Sequence, residues 1–139
     1  MEDGAARILV VEDDHDLMRL MVRILETAGF TVVQAYGGED ALRKIRMQRP
    51  DLVLTDLAMP RMSGVEVIER IKRSPDSAAI PCVAVTAYMW DQIASAAGQV
   101  GCDGFVPKPF NGPKLLAEIA KHVPLPGKMR ASGSATRAG

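Results

Sequence analysis

Five short apolar runs alternate with stretches of helical spacing along this chain, and no other feature limits its fold as tightly. The runs occupy residues 8–11, 31–35, 52–55, 82–86 and 104–106. Runs this short suit strands, and most are apolar at consecutive rather than alternate positions. A strand that is apolar on both faces must be covered on both, which a parallel sheet between two helical layers achieves. Between the runs, Leu17, Leu20, Met21, Ile24, Leu25 and Ala28 repeat at helical spacing and stop at Gly29, a residue suited to the left-handed position past a helix end. Ala41, Leu42 and Ile45 mark a second helix; Val65, Ile68 and Ile71 mark a third. Ser63-Gly64-Val65-Glu66 before the third has the spacing of a capping box. Residues 91–100 form a fourth, alanine-rich candidate, and Asn111 is placed to cap a fifth helix carrying Leu115, Leu116, Ile119 and Val123. The expected fold is α/β, a doubly wound parallel sheet of five strands built from five β-α units, with helices on both faces.

The chain has 139 residues, of which 47% are hydrophobic, enough for one domain with its own core and too few for two. Residues 7–123 are expected to form that domain, preceded by an extension at 1–6 and followed by a small, polar, flexible tail at 124–139. The formal charge is zero, yet unevenly placed. The tail holds Lys128, Arg130 and Arg137 and no acid, so 14 basic residues face 17 acidic ones over the rest, a net of −3. A mildly acidic body argues against nucleic acid as a partner. Cys82 and Cys102 lack CxxC spacing and read as reduced thiols. The acidic start, Met1-Glu2-Asp3-Gly4, has no signal-peptide stretch, and no run reaches the roughly 18 apolar residues of a membrane span. A cytoplasmic protein is expected.

Sheets of this type bind ligands beyond the carboxyl ends of their strands. There the first run ends in Glu12-Asp13-Asp14, the third in Asp56, the fourth in Thr86, and the fifth leads into Lys108-Pro109. Three carboxylates, a hydroxyl and an ammonium group are therefore predicted to converge. Clustered carboxylates repel unless compensated. Mg²⁺ suits the place, because it takes oxygen ligands and is typically held by one or two carboxylates plus a phosphate. With Glu12, Asp13 and Asp56 ionised, Lys108 and one Mg²⁺ bring the site to neutrality.

The segments "ILVVEDD", "DLVLTDLAMP", "VAVTA" and "KPF", in this order and spacing, resemble the receiver (response-regulator) domains of two-component signalling, over roughly residues 7–123. The resemblance implies a flavodoxin-like fold and a function. Asp56 would accept a phosphoryl group from a phosphohistidine, in a histidine kinase or a histidine phosphotransfer protein. Asp13 and Asp56 would bind Mg²⁺ directly, Glu12 through water, and Ala58 through its backbone carbonyl. Thr86 and Lys108 would sense the phosphoryl group, and Phe105 would be the switch aromatic. The Lys108-Pro109 bond would be cis. Ala58 and Tyr88 would tune phosphoryl lifetime: Ala58 has no side chain to hold a water and Tyr88 is placed to cover the site, so slow decay is expected. Such a domain catalyses only its own phosphorylation and dephosphorylation. It signals by docking an output protein at its fourth helix, fifth strand and fifth helix, or by relaying the phosphoryl group.

Other residues are assigned no such chemistry. Asp14 is expected as an N-cap, His15 as a solvent-facing helix residue, His122 as a residue closing the last helix, and Asp51 as a turn residue. Met18 and Met21 are expected in the core. Tyr88-Met89-Trp90 either packs on the domain or faces a partner. "GGEDALRK", 37–44, lacks the spacing of a phosphate loop. Three other readings stand beside the main one. A receiver cut from a hybrid histidine kinase has the same residues, although Met1 and the tail favour a separate protein. A flavodoxin-like small-ligand module is opposed by Met18, where a cobalamin signature needs glycine, and by acids where a flavin site needs a hydroxyl-rich loop. Asp56-Leu57-Ala58 lacks the second aspartate of a DxD phosphatase.

Overall fold

A computed structural model describes residues 5–87 and 101–126. The strands are β1 (Arg7–Val11), β2 (Thr31–Ala35), β3 (Leu52–Asp56), β4 (Cys82–Thr86) and β5 (Gly104–Pro107). The described helices are α1 (His15–Thr27), α2 (Gly38–Gln48), α3 (Gly64–Arg73) and α4 (Gly112–Ala120), the last being the fifth helical stretch of the sequence. The fourth candidate, at 91–100, lies outside the described residues, as do Tyr88-Met89-Trp90 and 127–139. All neighbouring strands are parallel, in the order β2-β1-β3-β4-β5.

Successive side chains of one strand enter opposite layers, as the two-residue period of a strand requires. Ile8 and Val10 of β1 join Leu54 and Val85 in a core with Met18, Met21 and Leu25 of α1 and Leu115 and Ile119 of α4. Leu9 and Val11 join Val53 and Ala84 in a second core with Ala41 and Ile45 of α2 and Val67, Ile68 and Ile71 of α3. Two filled layers explain why these strands are apolar at consecutive positions.

The helix ends follow the residues that cap them. Asp14 Oδ1 accepts from the amides of Asp16 and Leu17, and Gly29 past α1 has φ 102°. Asn111 Oδ1 accepts from the Lys114 amide at 2.8 Å. Removing such a cap costs about 1 kcal/mol. Asn111→Ala is therefore expected to lower unfolding free energy by about that amount in urea titration, with an unchanged slope.

Three details differ from the reading of the sequence. Leu20 belongs to the helical spacing of α1 yet is 46% exposed, and Met18 takes the buried place. Its position falls on the outer edge of the stripe, roughly a third of a turn around the helix from the face that buries Met18, Met21 and Leu25. The capping box of α3 is half formed: Ser63 Oγ accepts from the Glu66 amide at 3.2 Å, but the Glu66 carboxylate pairs with Arg70 at 3.0 Å. An arginine four residues on competes successfully for it. Finally, packed chain continues past 123, where Leu125 joins the first core and Pro126 lies against Gly29.

Candidate functional site

The parallel register places the carboxyl ends of β1, β3, β4 and β5 along one edge of the sheet. Glu12 follows β1 directly and is 1% exposed; Asp56 is the last residue of β3 and is 7% exposed. Asp13 is half-buried between them and the start of α1. One oxygen from each of Glu12, Asp13 and Asp56 lies within 4.8 Å of the others. At such separations each pair of ionised carboxylates repels by roughly 3 kcal/mol at an effective dielectric of about 20.

Lys108 is the cation that meets this cluster. Its Nζ is 3.4 Å from Glu12 Oε1 and 3.6 Å from Asp56 Oδ2. The backbone aims it, because the Lys108 amide donates to the carbonyl of Thr86 at 2.9 Å, tying the end of β5 to the end of β4. The Lys108-Pro109 bond is cis, as the resemblance implied. Thr86 is buried at the end of β4. Glu12 is gripped on its other side, where Oε2 accepts from the Asp14 amide at 3.0 Å. Asp56 Oδ1 accepts from the Ala58 amide at 3.2 Å, and Ala58 itself is exposed on the rim. The structure thus brings together Glu12, Asp13, Asp56, Ala58, Thr86 and Lys108. Phe105 stands apart, half-buried in β5 against the second core, and Tyr88 is outside the described residues.

Among the described residues, three carboxylates against one ammonium group leave a deficit of two positive charges, which one divalent cation would meet. The donors are all oxygen, close enough to share an ion, and fit Mg²⁺ in chemistry. Burial pushes the Glu12 carboxyl above its ordinary value of 4.5. The Asp56 charge adds to the rise; the Asp14 amide and Lys108 oppose it. Folding therefore favours protonated Glu12. The stability this contributes is complete below pH 4.5 and is lost as pH rises through the folded-state value. Glu12→Gln keeps an acceptor for the Asp14 amide and buries no charge. In chelator it is expected to melt above the parent at neutral pH, with the gap closing below pH 4.5; equal melting at neutral pH would contradict this.

The residues set aside in the sequence fall elsewhere. His15 is exposed and stacks on Tyr36, ring centroids 4.5 Å apart. Asp51 accepts from the Arg7 amide at the amino ends of the strands. His122 pairs with Glu118 at 3.0 Å, past the end of α4. Both cysteines are free thiols. Gly38 opens α2 and makes no phosphate loop. Gly64 is the residue that the sequence reading passed over. A Cβ there would fall on the Asp56 carbonyl oxygen and within 2.7 Å of Leu57 Cα, so α3 starts flush against the backbone that presents Asp56. The visible signal was a glycine at the first position of a capped helix.

Among the described residues, no helix is long and apolar enough to cross a membrane. A family model described as the response regulator receiver domain matches residues 8–120. The chain is 31% identical over 116 residues to the polar-differentiation response regulator DivK of Brucella anthropi, covering 84% of this chain and 94% of that protein. Among solved structures, the Vibrio cholerae chemotaxis protein CheY4 aligns with a TM-score of 0.83 and 27% identity, over 86% of this chain and all of that one. The signal receiver domain of a signal transduction histidine kinase from Syntrophus aciditrophicus aligns with a TM-score of 0.76 and 30% identity, over 81% of this chain and 86% of that one.

Proposed function

Because the chain belongs to the response regulator receiver domain family, we propose that Asp56 is its phosphoacceptor and that the residues around Asp56 carry out the transfer. The observation that carries this reading is the approach of Lys108 Nζ to both Glu12 and Asp56 within one acid cluster. An Asp56 carboxylate oxygen attacks the phosphorus of a phosphohistidine in a histidine kinase or histidine phosphotransfer protein. A P–O bond forms, the P–N bond breaks, and the imidazole leaves with the electron pair and takes up a proton. The acceptor's charge changes from −1 to about −1.5 to −2. Lys108 offsets the charge on the transferring group, and the Thr86 hydroxyl donates to a phosphoryl oxygen. Asp13, Asp56 and the Ala58 carbonyl would hold Mg²⁺ directly, and Glu12 through water. When bound, the ion supplies neutralising charge and a template for the phosphoryl oxygens.

The phosphoryl group then biases a two-state element. Thr86 is drawn toward it, Phe105 moves inward, and an output protein binds the favoured state at β5, α4 and residues 91–100. Residues 7–123 act as the receiver domain, in the cytoplasm, with the first residues of the 124–139 tail packed on it. On this reading the protein is a signalling phosphoacceptor that catalyses only its own phosphorylation and dephosphorylation. The likeness to a receiver from a histidine kinase supports relay of the phosphoryl group as a second use of the same residues.

Intact-mass spectrometry after incubation with acetyl phosphate tests the reading. A single phosphoryl adduct is expected with Mg²⁺ and none with chelator. After donor removal the adduct is expected to decay over many minutes, because Ala58 has no polar side chain to hold an attacking water and a bulky residue, Tyr88, stands two positions past Thr86 in the sequence. A half-life of seconds would overturn the assignment of these two modulating positions. Absence of any adduct would overturn the assignment of Asp56.

A further inference from the structure

We propose that Met62 is a positioning residue for the phosphorylation site, seated against the bare backbone of Gly38 so that the loop carrying Ala58 is held in place. The proposal rests on the function assigned to Asp56 above. Residues 57–63 join β3 to α3, and Ala58, the expected carbonyl ligand, is exposed on the rim of the acid cluster. An exposed residue is positioned by what anchors the chain on either side of it. On one side is Asp56, whose carboxylate accepts from the Ala58 amide. On the other side the loop turns sharply. Arg61 has φ 70°, a left-handed conformation that non-glycine residues seldom adopt, and the Met62 amide donates to Pro60 at 2.8 Å. That turn sends the Met62 side chain inward. It is 8% exposed and packs in the second core with Leu9, Val11, Ala35 and Ala41.

Gly38 makes the seat. It is buried at the first position of α2, and a Cβ there would stand 2.7 Å from Met62 Sδ, 2.8 Å from Cγ and 2.9 Å from Cβ. Three atoms of one side chain therefore lie where a methyl group would go. Gly37 next to it has nothing within 4 Å of the same construction. The contact is thus particular to Gly38, and it couples the start of α2 to the loop beside Asp56. Methionine suits the role, since its unbranched chain follows an irregular seat.

The test is a double-mutant cycle read by Mg²⁺. Thermal shift gives Mg²⁺ half-saturation without any phosphoryl transfer, and the rate of adduct formation with acetyl phosphate is measured on the same samples. Gly38→Ala displaces Met62, and Met62→Ala removes the anchor without overpacking the seat. Each is expected to raise Mg²⁺ half-saturation about tenfold and slow adduct formation, since misplacement by about 1 Å is worth up to about 10²-fold. Combining them removes the two nearest obstacles, Sδ and Cγ, and leaves only the Cβ of residue 62 at 2.9 Å from the new methyl group, so the double variant is expected to recover part of the loss seen in Gly38→Ala. Gly37→Ala is expected to match the parent. Parental Mg²⁺ half-saturation in Met62→Ala overturns the proposal even if Gly38→Ala fails to fold. So does a double variant no better than the worse single one. A parent that neither binds Mg²⁺ nor takes up phosphoryl contradicts the function itself, an outcome distinct from either of these.

Discussion

Asp56→Asn is expected to remain folded and to take up no phosphoryl group from acetyl phosphate at any Mg²⁺ concentration. The amide is a poor nucleophile and offers no second carboxylate oxygen to the metal. The folded state should not suffer, because the substitution removes one of three mutually repelling charges from a buried cluster and relieves the charge that helps push Glu12 upward. The variant's melting midpoint in chelator should therefore equal or exceed the parent's. A silent variant that melts normally has lost the acceptor, whereas one that melts low has lost the fold. Adduct formation at the parental rate would mean that another residue takes the group, and the Lys108 approach would need a different explanation.

Gly64→Ala carries the largest expected cost in stability. Overpacking a filled core costs about 1–3 kcal/mol when side chains can move aside. Here the obstacle is backbone, the Asp56 carbonyl and Leu57 Cα, which cannot move without moving the acceptor. A loss of about 3 kcal/mol or more is expected, a fall in melting midpoint on the order of 10 °C. Phosphoryl uptake at temperatures where the variant is folded should also slow, because α3 can keep its start only by pushing the end of β3. The control is Gly37→Ala, whose extended backbone at φ −168° tolerates any residue and whose Cβ would meet nothing. Equal stability of the two variants would show that α3 yields at its first turn and that Asp56 does not depend on Gly64.

Much of this arrangement was legible in the residues because it rests on local patterns. A strand buried between two helical layers is apolar at every position, so β3 and β4 were visible as runs. Their carboxyl ends then fell on Asp56 and Thr86 without any need to know strand order. Asp14 and Asn111 were legible as caps because a cap and the amides it serves lie within one turn. Contacts between distant elements were not legible in the same way. Nothing in the spacing of Gly38, Met62 and Gly64 says that two of the glycines exist to admit another segment; that depends on how closely α2 and α3 approach the loop after β3. Glu66 illustrates the complementary failure. The capping-box spacing was correct, yet Arg70 took the carboxylate. Leu20 obeys helical spacing and is exposed all the same, because a periodic stripe is wider than the face the sheet covers.

The site itself was read from convergence rather than from any one motif. An acidic pair, a lone aspartate and a Lys-Pro step are each common. Parallel strands of matched length bring their ends together, and the distances from Lys108 to Glu12 and Asp56 are the physical form of that convergence. The family match over residues 8–120 and the likeness to DivK and CheY4 agree with it.

The central claim is that Asp56 receives the phosphoryl group. The most direct measurement is to phosphorylate the protein with acetyl phosphate and Mg²⁺, quench with borohydride, and map peptides by mass. Borohydride reduces an aspartyl phosphate to the alcohol, leaving homoserine at the acceptor position. The expected result is homoserine at position 56 alone, absent when chelator replaces Mg²⁺. Reduction at another acid, such as Asp13 or Asp51, or a phosphoryl group stable on a hydroxyl or histidine side chain, would contradict the account.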